Sequence, residues 1–526
     1  MGIVDFARSL IELGFTLLAS GGTAKKLRES GVKVTDVAEL VGGGAILGHK
    51  VVTLSRELHA GLLADMTSDE EMAEMKEMGL HVIDLVCVDL YPLHDAVREE
   101  GATTESVIEK TDIGGPTMLR AAAKGGRIVI CDPADRNRVL HWIRTGEPDR
   151  EEMISQLRVK VERVVADYCL ASARFHSEGM VDGVIGWNGQ ELRYGENAWQ
   201  TPAVMLRVDD NDPLAIHRFK LESENQPSYV TITDVDRALQ TLTHMLAVWS
   251  LNTDFGEGGQ PVAMVAVKHG NPCGASYGRG YKHTVFNTVL GDPLAVMGAV
   301  IACNFPIGEH EAMGLLQGGM PDGEKRFFAA VVAPRFTREG LRILTQRGGK
   351  KCVLMSNHAL SEMYQAPPLD ISPRFRQIRG GLLRQPNYTN LLDVYGVELP
   401  PSETELAKNL ALAWAVAATS NSNTITLVRD SMLIGNGVGQ QDRVGAAELA
   451  ISRARRSGHE VCGAVACSDS FFPFPDGPEV LIRAGVKEIL TTSGSLKDDE
   501  VKELVQKLGG RLWIIPDSEG RMFYNH

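Results

Sequence analysis

The chain has 526 residues, a formal net charge of −13 at pH 7, and a composition that is 44% hydrophobic and 23% charged. This length is more than one hydrophobic core supports and indicates roughly two to four domains. An acidic chain without a long basic run is not a general nucleic-acid binder, although a local site can still attract a small anion. No apolar stretch is long enough to span a bilayer, so we predict no membrane association.

The eight cysteines are scattered and include no CxxC pair, which is typical of reduced thiols in the cytoplasm. The N-terminal segment Met1–Arg8 lacks the pattern of a signal peptide. We therefore predict a cytoplasmic protein.

The first third of the chain alternates helical and strand-like patterns. Helical spacing extends over 4–14, 24–30 and 151–178, and apolar runs typical of strands cover 15–19, 82–90 and 127–132. Such alternation predicts an α/β fold with a mostly parallel sheet. The segment 183–189, which begins and ends with glycine, is the predicted domain boundary.

Two glycine turns in this region together predict a phosphate site. The turn Ser20–Thr23 stands between a predicted strand and a predicted helix, where backbone N–H groups and hydroxyls suit an anion. Asp112–Thr117 repeats the pattern before a helix that carries Arg120 and Lys124 on one face. Taken singly, such glycines more often form ordinary turns. Gly43–Lys50 lacks the Gly-Lys-Ser/Thr ending of a P-loop, which argues against nucleoside-triphosphate hydrolysis.

A pair of titratable residues follows the most apolar run of the chain. Val262–Val267 predicts a buried strand that ends at Lys268 and His269, before the turn residues Gly270–Gly274. Loops at strand ends commonly build sites, and histidine titrates near neutral pH. The pair therefore predicts proton-transfer chemistry.

Two C-terminal segments carry further candidates. Ser422 and Asn423 precede a predicted strand over 424–428, where asparagine is usually a turn or cap residue. The proline-rich segment 468–477 carries three phenylalanines. They form either a plug in the core or a stacking surface for a flat heterocycle.

A zinc nucleoside deaminase is an alternative interpretation of Pro272-Cys273, because such sites use H-x-E and P-C-x-x-C motifs. His176 and Glu178 supply the first motif, but Ser276 stands at the position of the second cysteine. Because too few soft ligands are near one another, we predict no metal site.

Five motifs follow one another along the chain: Leu192–Asn197, Lys268–Gly274, Ser422-Asn423, Ile434–Arg443 and Asp469–Phe474. In this order they resemble the motifs of the AICAR formyltransferase/IMP cyclohydrolase family, over essentially the whole chain. The resemblance implies an α/β fold with a methylglyoxal-synthase-like parallel-sheet domain over 1–187. It further implies a formyltransferase region over 188–526, made of two cytidine-deaminase-like α/β subdomains with a boundary near 365–375.

The family carries out the last two steps of purine (IMP) synthesis. The resemblance implies transfer of a formyl group from the co-substrate 10-formyltetrahydrofolate to the amine of AICAR, without a metal. By resemblance, His269 accepts the amine proton, Lys268 polarises the formyl group and Asn423 orients it. The residues implied to hold the nucleotide or surround the substrates are Arg193, Tyr194, Arg443, Phe471, Phe474 and Arg521. The family also implies a homodimer with these sites at its interface.

The N-terminal part resembles the cyclohydrolase domain, which converts formyl-AICAR to IMP, but departs from it. Residues that match the family's nucleotide site are Ser20, Gly21, Gly22, Thr23, Lys50, Thr53, Tyr91, Asp112, Gly114, Gly115, Arg120 and Lys124. Val52 replaces the family's key lysine, and the family's first strand is expected to be missing. Because valine can neither hold a phosphate nor transfer a proton, we predict that formyl transfer is retained and cyclohydrolase activity is weakened or lost.

Smaller departures in the formyltransferase region are Ala198-Trp199, Thr231 and Ala299, which we expect to change affinity more than the reaction. Together with Val52 they leave open a second function, a nucleotide-binding regulatory protein that has lost both activities. The retained Lys268-His269 pair favours the enzyme.

Overall fold

The computed structural model describes the chain from Met1 to Tyr524 except residues 45, 48–50, 253–260, 279, 348–351, 364–367, 395, 397–398 and 400–402. The predicted site residue Lys50 lies outside the described residues. The chain divides into two compact units, Met1–Trp187 and Asn188–His526. Across the described ranges, none of the helices combines the length and the apolar character needed to cross a bilayer.

The first unit consists of helices around short parallel strands. Its helices are α1 (Ile3–Glu12), α2 (Gly21–Glu29), α3 (Val37–Leu40), α4 (Arg56–Leu63), α5 (Asp69–Glu77), α6 (Leu93–Ala96), α7 (Thr104–Glu109), α8 (Gly114–Lys124), α9 (Asp135–Arg144) and α10 (Arg150–His176). Its strands are β1 (Leu18–Ala19), β2 (Thr35–Asp36), β3 (Leu85–Cys87) and β4 (Ile128–Ile130). β1 pairs with β2 and β3 pairs with β4, in both cases in parallel.

The strands of this unit are shorter than the sequence predicts. The apolar run 82–90 pairs with β4 only over β3, and the run 15–19 pairs with β2 only over β1. A residue gains ladder hydrogen bonds only where a partner strand lies opposite, so the partner limits the length of the strand. Flanking apolar residues such as Leu17, Ile83 and Leu90 pack against the core instead.

The core of the first unit lies between β3–β4 and the helices α4, α8 and α10. Leu119 and Ala122 of α8 and Ile130 of β4 are fully buried. At the end of α8, a Cβ on Gly125 would collide with the carbonyl of Leu62 in α4. This close packing fixes α8, whose N-terminus carries several predicted site residues.

Among its described residues, the second unit contains one large sheet and two sheets of two strands each. Its strands are β5 (Trp187–Leu192), β6 (Ala203–Arg207), β7 (Lys220–Leu221), β8 (Val262–Lys268), β9 (Asn271–Gly278), β10 (Val300–Cys303), β11 (Ala330–Ala333), β12 (Val353–Ser356), β13 (Arg374–Ile378), β14 (Gly381–Gln385), β15 (Ile425–Arg429), β16 (Met432–Gly437), β17 (Val465–Ser468), β18 (Glu488–Thr492) and β19 (Arg511–Ile515). Its helices are α11 (Tyr229–Leu251), α12 (Tyr281–Leu290), α13 (Pro293–Val296), α14 (Glu309–Gln317), α15 (Arg338–Arg347), α16 (Thr404–Ala417), α17 (Arg443–Arg456), α18 (Asp476–Arg483), α19 (Asp498–Lys507) and α20 (Asp517–Gly520).

Among the described residues, eleven strands form the large sheet in the order β19-β18-β17-β15-β16-β9-β8-β10-β11-β12-β7. The sheet has two similar halves. Each half begins with a helix and an antiparallel hairpin, β8–β9 after α11 and β15–β16 after α16. Each continues with parallel strands, β10–β12 in one half and β17–β19 in the other. The hairpins meet where Ser276 of β9 pairs with Met432 of β16, so the two halves share one sheet.

The strand β8 is buried on both faces of the sheet. Ala263, Val265 and Val267 belong to the core that contains α11 and α16, whereas Met264 and Ala266 belong to the core on the other face. Successive strand residues point to opposite faces, and a strand covered on both faces needs a continuous apolar run. This packing explains the apolar sequence and fixes the end of β8.

Candidate active site

The turn between β8 and β9 presents the predicted acid–base pair. Lys268 and Asn271 are partners across the hairpin, so His269 and Gly270 form a two-residue turn. Both adopt positive φ angles, +53° for His269 and +72° for Gly270, as tight hairpin turns often require. This conformation costs a histidine about 1 kcal/mol or more, and such strain concentrates at functional sites.

Asp234 of α11 stabilises this turn, although it was not among the predicted site residues. Its carboxylate accepts hydrogen bonds from the backbone amides of His269 at 3.1 Å and Gly270 at 2.6 Å. Burial raises the pKa of the Asp234 carboxyl, while the two amide bonds oppose that rise. The Lys268 amine donates to the Met297 carbonyl at 2.7 Å. The backbone of the turn is thus held, while His269 remains exposed.

Asn423 belongs to a segment that lies beside the start of β9. The amide of Asn421 donates to Oδ1 of Asn271 at 2.9 Å. Asn423 and Gln440 exchange backbone hydrogen bonds, each 3.2 Å long, and the Asn423 side-chain amide donates to the Gln440 carbonyl at 3.1 Å. The peptide bond before Asn423 is cis. These contacts bring residues 421–423, the Asn423 segment, to the hairpin that carries His269.

Asp469, at the end of β17, was also missed by the sequence-based prediction of site residues. Its fully buried carboxylate accepts hydrogen bonds from the Ser422 hydroxyl at 2.5 Å, the Thr424 amide at 3.1 Å and the Arg443 guanidinium at 3.3 Å. Burial lowers the pKa of Arg443. Within the described part of the chain, Nε of Arg443 has no hydrogen-bond partner. Asp469 therefore joins a nucleotide-binding candidate to the Asn423 segment.

The phenylalanines of the segment 468–477 divide between the two predicted roles. Phe472 is 2% exposed and packs in the core, whereas Phe474 is 55% exposed. The Arg521 guanidinium lies 5.9 Å from the Phe471 ring centroid and 5.1 Å from that of Phe523. Phe472 therefore fills part of the core, and Phe474 presents an accessible aromatic surface.

Arg193 and Tyr194 follow β5 and lie at the start of α11. The Arg193 amide donates to the Pro227 carbonyl at 3.1 Å, and the Tyr229 amide donates to the Tyr194 carbonyl at 3.0 Å. The Arg193 guanidinium donates to the Tyr194 hydroxyl at 3.2 Å. The same helix carries Asp234, so α11 supports both this pair and the His269 turn.

The three smaller departures occupy different environments. Trp199 is 79% exposed, and Ala299 is fully buried in the core. Thr231 is buried beside the N-terminal cap of α11, where its hydroxyl lies 3.0 Å from that of Ser228. Val300, the residue after Ala299, pairs with Val267, the residue before Lys268.

Cys273, the centre of the zinc interpretation, lies in the core strand β9. Its thiol donates to the Ala266 carbonyl at 3.5 Å, and burial raises the pKa of Cys273 to about 12. The Cys273 side chain therefore packs in the core and is bonded to the backbone. The described residues include no group of three or more His, Cys, Asp and Glu side chains placed to hold a metal ion.

In the first unit, the predicted turn Ser20–Thr23 is the beginning of a helix. α2 starts at Gly21, so the prediction of a separate turn before the helix was wrong. Glycine destabilises the middle of a helix because it loses more conformational freedom than other residues, whereas Gly21 and Gly22 stand at the first two positions of α2. Gly21 has a φ of +49°, a conformation that other residues rarely adopt. Gly22 and Thr23 are exposed.

Four predicted site residues lie together at the N-terminus of α8. Oδ1 of Asp112 accepts a hydrogen bond from the Gly115 amide at 2.7 Å. The Asp112 amide donates to the Tyr168 hydroxyl at 2.6 Å. A Cβ on Gly114 would lie 2.6 Å from Oγ1 of Thr53, so this approach requires glycine. The helix starts at Gly114, so Pro116 is its third residue.

The remaining candidates of this unit are mostly exposed. Arg120 and Lys124 are both exposed on α8, and Nε of Arg120 donates to Glu162 at 3.3 Å. Tyr91 is 57% exposed. Val52, next to Thr53 in the chain, is half-buried. The cluster therefore offers backbone amides and a carboxylate, with an alkyl side chain at Val52.

Comparisons with known proteins identify the family of this chain. The family model described as "AICARFT/IMPCHase bienzyme" matches residues 122–453, and the "MGS-like domain" model matches residues 2–117. The "Bifunctional purine biosynthesis protein PurH" of Oceanobacillus iheyensis is 34% identical over 519 residues, covering 96% of this chain and 95% of that protein. This chain belongs to the PurH family. The predicted family and the predicted α/β fold class are thereby confirmed.

Other similar proteins bear the same name. The PurH of Bacillus cereus is 33% identical over 524 residues, covering 97% of this chain and 95% of its own length. A solved structure titled "Crystal structure of ForH" is 33% identical and covers 33% of this chain and 92% of its own, with a TM-score of 0.29. A TM-score this low does not bear on the fold of the PurH-family chain.

Proposed function

We propose that this chain transfers a formyl group from 10-formyltetrahydrofolate to AICAR, giving formyl-AICAR in purine (IMP) biosynthesis. The observation that carries the proposal is the convergence of Lys268 and His269 with the Asn423 segment. The similar proteins, which are named bifunctional purine biosynthesis proteins, support an enzyme of this family. We assign the reaction to residues 188–526, whose two subdomains meet near 365–375, and assign the cyclohydrolase-like domain to 1–187.

The reaction joins the AICAR amine nitrogen to the formyl carbon and breaks the bond from that carbon to the folate nitrogen. The His269 imidazole, exposed on a held turn, accepts the proton that the amine loses. The Lys268 ammonium and the Asn423 amide stabilise the charge that develops on the formyl oxygen. The proton returns from His269 to the departing nitrogen, so atoms and charges balance. Holding these groups in place lowers the entropic part of the barrier.

The surrounding residues fit an anionic nucleotide with a flat base. Arg443 has a buried Nε without a hydrogen-bond partner among the described residues, which suits a phosphate or carboxamide oxygen. Arg193 and Arg521 are exposed cations. Phe471 and the exposed Phe474 offer aromatic surface to the base or the folate. We assign no metal to this chemistry, because the Lys268 ammonium and the Asn423 side-chain amide stabilise the charge of the transition state.

We further propose that the cyclohydrolase-like domain binds nucleotide but closes the ring of formyl-AICAR slowly. The N-terminus of α8, with the amides around Gly114 and Gly115, suits a phosphate. Ring closure also needs a group that stabilises developing negative charge, and the alkyl side chain of Val52 supplies none. We also propose that the enzyme acts in the cytoplasm as a homodimer whose formyltransferase sites lie at the subunit interface.

The experiment that tests formyl transfer supplies purified protein with AICAR and either 10-formyltetrahydrofolate or formate plus ATP. Formyl-AICAR is separated from IMP by chromatography and each is followed in time. We expect formyl-AICAR only with the folate, at a rate proportional to protein concentration. Formation of formyl-AICAR only with formate and ATP, or no turnover with either donor, would contradict the proposal. Binding of AICAR without turnover would instead support a regulatory protein.

A further inference from the structure

The C-terminal segment Arg521–Tyr524 is hydrogen-bonded to Asp469 and to Ser422, the residue before Asn423. The Met522 amide donates to the Asp469 carbonyl at 2.9 Å, and the Tyr524 carbonyl accepts from the Ser422 amide at 3.2 Å. Met522 is 1% exposed and Tyr524 is 4% exposed. The alternate residues of the segment, which include Arg521, are the more exposed ones. Backbone hydrogen bonds of Met522 and Tyr524 thus anchor the segment.

The Tyr524 ring is held by two guanidinium groups. The Arg237 guanidinium carbon lies 3.6 Å from the ring centroid and that of Arg374 lies 4.5 Å from it. Such cation–π contacts are strongest where water is excluded, and Arg237 is only 5% exposed. The Tyr524 hydroxyl donates to Oε1 of Gln240 at 2.8 Å, and Nη1 of Arg237 donates to the Thr419 carbonyl at 2.5 Å.

These contacts start from one side of α11. Asp234, Arg237 and Gln240 are spaced by three residues, which places their side chains along neighbouring turns of the helix. Asp234 holds the His269 turn, whereas Arg237 and Gln240 hold Tyr524. A single helix therefore connects the proposed proton acceptor with the segment that presents Asn423.

We propose that Arg237 and Tyr524 are positioning residues, which keep Asn423 in register with His269 through the Ser422–Tyr524 contact. This inference rests on the proposed function. The two side chains are buried and contact protein groups, so they act on the reaction through the segment they hold. Small misplacements of a reacting group can cost about a hundredfold in rate, so loosening this segment reduces turnover more than it reduces nucleotide binding.

The test compares Tyr524→Leu, which removes the aromatic face, with Tyr524→Phe, which retains it and loses only the hydroxyl contact. Met522→Leu is the matched control, because it changes a neighbouring buried side chain of the same segment at nearly constant volume. Formyl transfer gives kcat and the KM for AICAR, and hydrogen–deuterium exchange of the peptide 419–424 reports on the segment directly. Thermal unfolding confirms that each variant is folded.

We expect Tyr524→Leu to lower kcat at least about tenfold, with KM changed less than about threefold, and to speed exchange at residues 419–424. Tyr524→Phe, which keeps the ring and loses only the Gln240 contact, should change both measurements much less than Tyr524→Leu, and Met522→Leu should stay close to wild type. If Tyr524→Leu does not fold, Arg374→Gln provides a milder loss of the same ring contact, with the same direction of change expected.

Unchanged exchange and unchanged kcat in the folded ring-contact variant would overturn the inference, and so would equal losses in Met522→Leu. Because the exchange measurement needs no turnover, it still decides whether Tyr524 holds residues 419–424 if wild-type protein transfers no formyl group. Failure of the proposed function and failure of this inference are therefore distinguishable.

Discussion

The hairpin turn of the second unit and the N-terminus of α8 in the first unit hold their backbones in similar ways. In each, an aspartate carboxylate accepts a hydrogen bond from the backbone amide of a glycine, Asp234 from Gly270 and Asp112 from Gly115. They differ in the side chains added to that backbone. The hairpin carries Lys268-His269, whereas the chain beside α8 carries Val52. A fold can therefore preserve binding geometry where a reacting group is absent, and function has to be inferred from the side chains of the site.

The largest expected effect is at the proton acceptor. His269→Ala should lower kcat for formyl transfer about 10²- to 10⁴-fold, because general base catalysis is lost. AICAR binding, measured by calorimetry, should change far less. His310→Ala, at an exposed position of α14, is the control and should be neutral. Equal kcat values for wild type and His269→Ala would show that His269 is not the general base of formyl transfer.

The second-largest expected effect is a gain of IMP formation by the first unit. Val52→Lys should raise the rate of IMP formation from formyl-AICAR about tenfold or more, because an ammonium group then stabilises negative charge at the α8 site. Formyl transfer should be unchanged in the same preparation. Val52→Leu is the control for volume alone. No gain with the lysine variant would mean that more than one group is missing from this domain.

A smaller effect is expected at Asp234, whose carboxylate holds the backbone of the turn between β8 and β9. Asp234→Asn leaves only one side-chain oxygen for the two amides, and one N–H of the partly buried turn loses its partner. We expect kcat to fall about tenfold and the free energy of unfolding to fall by about 1–3 kcal/mol. Glu309→Gln, at an exposed position, is the control in urea denaturation. A variant with wild-type kcat would show that the turn is stable without this carboxylate.

The smallest effect on the reaction is expected at the exposed phenylalanine. Phe474→Ala should raise the KM for a substrate only a few-fold, roughly the loss of one aromatic contact, with stability unchanged. Phe472→Ala, which removes a buried neighbour, should instead lower the free energy of unfolding by about 3–5 kcal/mol. Comparable destabilisation by both variants would contradict the division between surface and core.

Sequence patterns predicted the parts of this structure that depend on local order. The run before Lys268 predicted a buried strand, which is β8, and the ordered motifs predicted the family, which is confirmed. The strands of the first unit were predicted too long, because strand length depends on a distant partner. Asp234 and Asp469 were missed because their roles arise from hydrogen bonds to residues far away in sequence. The available signal for Asp234 was a carboxylate directly before the apolar residue Val235 on a helix whose residues are mostly buried.

The contrast between the two sites is tested most directly by measuring both half-reactions on one preparation of wild-type protein. AICAR with 10-formyltetrahydrofolate gives the rate of formyl transfer, and added formyl-AICAR gives the rate of IMP formation. We predict rapid formyl transfer, with IMP formation from formyl-AICAR slower by about tenfold or more, the scale of one lost charge-stabilising group. IMP formation at least as fast as formyl transfer would contradict the account, since Val52 would then not limit the first unit.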